Sequence, residues 1–220
     1  MKPTFLISEA IKESWRVLKS QIWVLVGLCI GASIISFTLS FILSPSDPTS
    51  IGGNSIYILV STAFGTLFSL GYIKNLFQAM DGEDPQFSAY GQESRKLIKA
   101  ILAGLLYAII VVIGIVLFII PGIYLAMRLQ FYIVFIVDED AGIVDSLKRS
   151  WAITDKQVLD LLLVAVVVIA ISIAGAMLLL IGLFIAIPLT YLMLLYIYRK
   201  LNVSTSAIEE PAVEAEAIVE

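Results

Sequence analysis

Residues 97–137 read LIKAILAGLLYAIIVVIGIVLFIIPGIYLAMRLQFYIVFIV. This stretch of about 41 residues carries two charges, Lys99 and Arg128. A helix needs ~20 apolar residues to cross ~30 Å of hydrocarbon, so the block is long enough for two crossings. Pro121-Gly122 divides it, as a turn dipeptide does. The blocks 22–43 and 56–80 add one crossing each, and 157–198 adds two more. The pattern predicts six spans, at about 22–43, 56–80, 97–120, 122–137, 158–180 and 183–199.

Composition agrees. The chain is 60% apolar and 15% charged, whereas a soluble domain is nearer half and a quarter. A soluble helical bundle would keep too little polar surface to stay in solution. The expected fold class is all-α: a polytopic membrane protein whose six helices form three hairpins, with amphipathic interfacial helices on the cytoplasmic side. No cleavable signal peptide is evident, because the first apolar run follows a stretch with both acids and bases and lacks an A-x-A-like site.

The connecting segments supply orientation. Of the 14 Lys and Arg, all but Arg128 fall on one side of a six-span layout, from Lys2, Lys12, Arg16 and Lys19 to Arg199 and Lys200. The positive-inside rule makes that side cytoplasmic, with both termini there. The cell context expected is the bacterial inner membrane. The net charge of −4 comes from the tail: without Glu209, Glu210, Glu214, Glu216 and Glu220 the body is +1. Residues 201–220 are expected to form an acidic, disordered tail. Residues 44–55 and 81–96 read as loops.

Residues 7–21, ISEAIKESWRVLKSQ, return in similar form at 143–157, IVDSLKRSWAITDKQ. Lys12, Ser14, Trp15 and Gln21 align with Lys148, Ser150, Trp151 and Gln157. Each copy precedes a span, and four crossings separate them, so both lie on one face as a parallel repeat. Glu93–Lys99 is a fainter third copy. Ile7, Ile11, Trp15, Leu18 and Ile22 share one helical face, and Lys12, Arg16 and Lys19 share a neighbouring one. The region 1–21 therefore reads as an interfacial helix begun at Ser8-Glu9, with a second at about 141–154. Lys12, Arg16, Lys19, Lys148 and Arg149 are expected to meet anionic headgroups. Trp15, Trp23 and Trp151 are expected to be interfacial anchors.

Several chemistries are excluded. There is no histidine, so His-based triads, HExxH zinc sites and His proton switches are absent together. The single cysteine, Cys29, offers no disulfide within one chain. No P-loop, Rossmann fingerprint or paired nucleophile and base occurs. The bases follow the membrane plane, which gives no support to nucleic-acid binding. Asp138-Glu139-Asp140 lacks EF-hand spacing and reads as a solvated loop. No catalytic, cofactor or metal residues are assigned. Membrane lipids are the expected partners, with a protein partner or self-association through the Gly27-x-x-x-Gly31 stripe also open.

Arg128 stands out. A charge at the centre of a spanning helix costs about 2.5–3.5 kcal/mol on insertion scales. No carboxylate is obviously placed to pair with it. Two readings remain: a polar cavity in the outer half, where Arg128 and Gln130 hold a headgroup phosphate or a backbone carbonyl, or snorkelling to the outer interface.

Residues 121–151, PGIYLAMRLQFYIVFIVDEDAGIVDSLKRSW, carry Pro121-Gly122, the embedded Arg128, the acidic run 138–140, and Leu147 with Ser150-Trp151. This order resembles the membrane domain of bacterial glycerophosphoryl diester phosphodiesterases and related uncharacterised six-span proteins. Members often carry a Pro in the second half of the short span, where this chain has Ile133-Val134-Phe135. The catalytic barrel is absent, so the resemblance implies the membrane part without phosphodiester hydrolysis. The reading is a non-enzymatic membrane protein that organises lipid or serves as a platform for a partner. A small transporter or channel is the alternative, and an intramembrane enzyme lacks a visible constellation.

Overall fold

The computed structural model describes residues 5–44, 51–178 and 182–217, with residues 51 and 206–217 in backbone only. Among them every regular element is helical: α1 (Ile7–Ser20), α2 (Ile22–Leu43), α3 (Ile51–Met80), α4 (Ser88–Glu93), a 3₁₀ turn at Ser94–Lys96, α5 (Leu97–Leu117), α6 (Ile119–Leu129), α7 (Tyr132–Glu139), α8 (Ile143–Ile153), α9 (Val158–Met177) and α10 (Leu183–Ala217). Six helical stretches are long and apolar enough to cross a membrane: Ile22–Leu43, Gly52–Met80, Ser88–Leu117, Ile119–Glu139, Val158–Met177 and Leu183–Thr205. The chain is an all-α polytopic membrane protein.

The amphipathic helices lead directly into spans. α1 buries Ala10, Ser14 and Leu18 and packs on α10. Its exposed face carries Lys12, Trp15, Arg16 and Lys19. Its N-cap is Leu6, without a side-chain bond, so Ser8 does not cap it. Gln21 is the N-cap residue of α2 and Gln157 that of α9. The aligned glutamines thus stand at matching junctions.

The packed core lies toward the end of the bundle that carries the basic helices. Leu70, Ile73 and Leu76 of α3, Phe131 just before α7, Phe135 and Ile136 of α7, and Leu192, Leu195 and Tyr198 of α10 are fully enclosed there, with Ala100 and Ala103 of α5 and Leu161 and Val164 of α9. Toward the other end, Phe37, Phe41, Leu59, Val116, Ile120 and Met177 are exposed. Lipid tails solvate such side chains as well as a neighbouring leucine does, so nothing drives them together.

Several expectations need correction. The chain breaks at Phe118, whose backbone is extended (φ −158°, ψ 140°), rather than at Pro121-Gly122. Pro121 sits in the first turn of α6, where its missing N–H would be unpaired anyway. The fourth span is two helices, α6 and α7, with an interruption at residues 130–131. The segment 81–96 contains α4 and the 3₁₀ turn instead of being all loop. The tail continues α10 to Ala217 rather than lacking structure from 201. Residues 45–50 of the expected outer loop, Lys2, and the last three residues of the tail lie outside the described residues.

Glycines close two of the hairpins. A Cβ on Gly114 would come within 2.9 Å of Gly122 Cα, and one on Gly175 within 2.9 Å of Gly182 O. By contrast, a Cβ on Gly27 or Gly31 would meet nothing within 4 Å. The predicted small-residue stripe therefore makes no close helix contact among the described residues. It lines a cavity of about 260 Å³ beside Phe64, Phe68 and Phe87.

Candidate functional site

The interruption between α6 and α7 frees backbone groups in the middle of an apolar span, where an unsatisfied group costs several kcal/mol (roughly 2–7). α8 satisfies them. Ser150 Oγ donates to Arg128 O at 2.9 Å and accepts from Phe131 N–H at 3.1 Å. Thr154 Oγ1 also donates to Arg128 O, at 3.0 Å. Ser150 and Thr154 are four residues apart, hence on one face of the helix. At the far end of α7, the buried Lys96 donates from Nζ to Val137 O at 2.8 Å and pairs with Glu93 at 2.9 Å. A lysine at a helix C-terminus suits both its free carbonyls and its dipole.

Arg128 itself is 3% exposed. Its Nη1 donates to Asp155 at 3.1 Å. The guanidinium carbon lies 4.1 Å from the Trp151 ring centroid and 5.8 Å from that of Tyr124, and the two rings meet edge to face. Nε has no hydrogen-bond partner. The indole face takes that role, at about 0.5–2 kcal/mol for a cation over an aromatic ring. The turn after α8 supplies Arg128 with its carboxylate, Tyr124 of α6 and Trp151 of α8 are its aromatic neighbours, and the side chain is buried. Asp155 was the missing carboxylate. Asp155 lies within the second copy of the repeated motif, opposite Lys19 of the first, so the repeat gave no cue to a carboxylate there; the packing of α8 on α6 brings it to Arg128. Gln130 does not join the site: its Nε2 donates to Met127 O at 3.1 Å.

The expected anchors divide. Trp151 is half-buried against Arg128, Trp15 has Lys19 Nζ 5.7 Å from its ring, and Trp23 is 88% exposed. Of the expected lipid-facing cations, Lys12, Lys19 and Lys148 are exposed, while Arg16 is exposed and paired with Glu13, and Arg149 is exposed and paired with Asp145 and Glu139.

The acidic run 138–140 is exposed, as the solvated reading expects, and each of its carboxylates also has a partner. Tyr198 Oη donates to Asp138 at 2.9 Å, Asn202 Nδ2 donates to Glu139 at 2.8 Å, and Lys99 pairs with Asp140 at 3.1 Å. The hydrogen bond from Lys99 holds the Asp140 carboxyl below the usual carboxylate range. Arg199 grips Asp81 with two bonds, at 2.6 and 2.8 Å, tying α10 to the end of α3. Among the described residues no group of three or more Cys, Asp or Glu is arranged to hold a metal.

A family model described as a domain of unknown function, DUF7847, matches residues 87–219. The chain belongs to the DUF7847 family. The matched region runs from the start of α4 into the tail, so it includes Arg128, Ser150, Trp151 and Asp155. Two relatives are an uncharacterized protein of Mycobacterium tuberculosis, Rv2560, and one of Mycobacterium bovis, Mb2590. Each is 24% identical over 225 residues, covering 90% of this DUF7847 chain and 69% of the relative. None of these descriptions names a phosphodiesterase. No solved structure matches.

Proposed function

We propose that this DUF7847 protein is a non-enzymatic protein of the bacterial cytoplasmic membrane, with both termini cytoplasmic, that organises membrane lipid or holds a partner at the membrane surface. The observation that carries this reading is the pair α1 and α8. Each presents exposed bases and a tryptophan, and each leads through a glutamine N-cap into a span. Bases near an anionic surface contribute about 1 kcal/mol each. The likeness of residues 121–151 to the membrane domain of glycerophosphoryl diester phosphodiesterases supports the same role, because that domain is the part outside the catalytic barrel.

A transporter is the second reading. It draws on the interrupted span α6–α7 and on a cavity of about 490 Å³ beside it, lined by Thr62, Thr66, Ser69 and Tyr132. Discontinuous helices of this kind border substrate paths in transporters. Reconstitution separates the two. The lipid or platform reading expects no solute flux in proteoliposomes, together with altered lipid composition or loss of a co-purifying partner when the protein is removed from cells. Flux that Tyr132→Phe or Thr66→Val abolishes would favour transport instead.

A further inference from the structure

The two copies of the Ser-Trp motif differ in what the serine meets. Ser150 is occupied by the α6–α7 interruption. Ser14, its counterpart, is 2% exposed, and its Oγ has no hydrogen-bond partner. Ser14 lines a cavity of about 580 Å³ between α1 and α10. The cavity is graded along α10. Its deep wall is apolar, formed by Val17, Met80 and Leu192. Lys200 lies eight residues beyond Leu192, about 12 Å along the helix at 1.5 Å per residue. Arg16 and Lys200 also line the cavity, with Glu13, which pairs with Arg16 at 2.6 Å, and Arg199, which Asp81 already holds. Lys200 forms no ion pair among the described residues, with its Nζ 5.5 Å from the Tyr196 ring.

An apolar trough bordered by Lys200, which has no ion pair among the described residues, and by the exposed Arg16 at the foot of a membrane span matches one ligand chemistry: an acyl chain joined to a phosphate. Resting on the functional reading above, we propose that the α1–α10 cavity binds one anionic phospholipid. Its chain runs along Val17, Met80 and Leu192, and its phosphate lies between Arg16 and Lys200. The site differs from diffuse attraction by exposed bases because it needs the cavity as well as the charge.

The test is native mass spectrometry of the full-length protein released from nanodiscs containing phosphatidylglycerol and phosphatidylethanolamine. The expected result is retained phosphatidylglycerol, with Arg16→Gln/Lys200→Gln lowering retention about thirtyfold, since each base near the surface is worth about five- to sixfold in affinity. Val203→Trp, a change at an exposed residue on the cavity wall, should block retention with the charges intact. Lys12→Gln/Lys19→Gln removes the same amount of charge outside the cavity and should leave retention largely unchanged. An equal loss in that control, undiminished binding in Arg16→Gln/Lys200→Gln or in Val203→Trp, or displacement by excess inorganic phosphate would overturn the site. No phosphatidylglycerol preference in the unmodified protein would sink the lipid reading with it, whereas a preference that survives the cavity variants would sink the site alone.

Discussion

The guanidinium carbon of Arg128 lies 4.1 Å from the centroid of the Trp151 ring. A residue that reads as an interfacial anchor thus covers a buried cation. The contact also fixes where α8 sits on α6, because Ser150 and Trp151 engage the backbone and the side chain of the same arginine.

Trp151→Ala is therefore expected to destabilise the fold by about 2–4 kcal/mol, from the lost cation–π contact and the desolvated, half-paired charge it leaves. Trp151→Phe should fall between, because phenyl is the weaker cation face. Trp23→Ala, at an exposed position, should shift stability by less than about 0.5 kcal/mol. Thermal unfolding in one detergent compares all three. Equal effects at Trp151 and Trp23 would return Trp151 to a simple anchoring role.

Ser150→Ala and Thr154→Val probe the interruption in the fourth span. Loss of Ser150 strips the Phe131 N–H of its partner and should cost about 1–3 kcal/mol. Thr154→Val should cost less, because Ser150 still donates to Arg128 O. The two share that acceptor, so a double-mutant cycle should give a non-zero coupling. Strict additivity would contradict the shared bond.

Glycine substitutions should separate packed from open positions. A Cβ on Gly122 would lie 2.6 Å from Ile115 N, a backbone atom that cannot move aside. Gly122→Ala should cost about 1–3 kcal/mol. Gly27→Ala meets nothing within 4 Å, and should be neutral or stabilising by up to about 1 kcal/mol, the helix propensity difference. Destabilisation of the isolated monomer by Gly27→Ala would show a contact within the chain that the structure lacks.

The Asp81–Arg199 pair gives a pH dependence. The hydrogen bond from Arg199 holds the Asp81 carboxyl below its usual value. A folded-state value below the unfolded one means stability that is present above the unfolded value, about 3.9, and is lost as pH falls through the folded one. Asp81 is about half exposed, so the effect is small. Asp81→Asn should lower stability by about 0.5–1 kcal/mol at pH 7, and its difference from the unmodified protein should vanish in strong acid. A gap that persists there would mean the pair contributes through packing.

The number of spans, their approximate limits and the two helices that precede spans are legible in the order of apolar and charged residues alone. These depend on sums over twenty or so residues, and the free energy of placing a segment in hydrocarbon adds nearly residue by residue. The start of α2 at Ile22 and of α9 at Val158 was legible for that reason. Helix packing, by contrast, sets the pairing of Asp155 with Arg128, the use of Ser150 to repair an interrupted helix while Ser14 faces a cavity, and the close contacts at Gly114 and Gly175 instead of Gly27. Each of these turns on hydrogen-bond and contact distances within a few tenths of an ångström. Such distances follow from the register of one helix against another, which neither partner's sequence encodes alone.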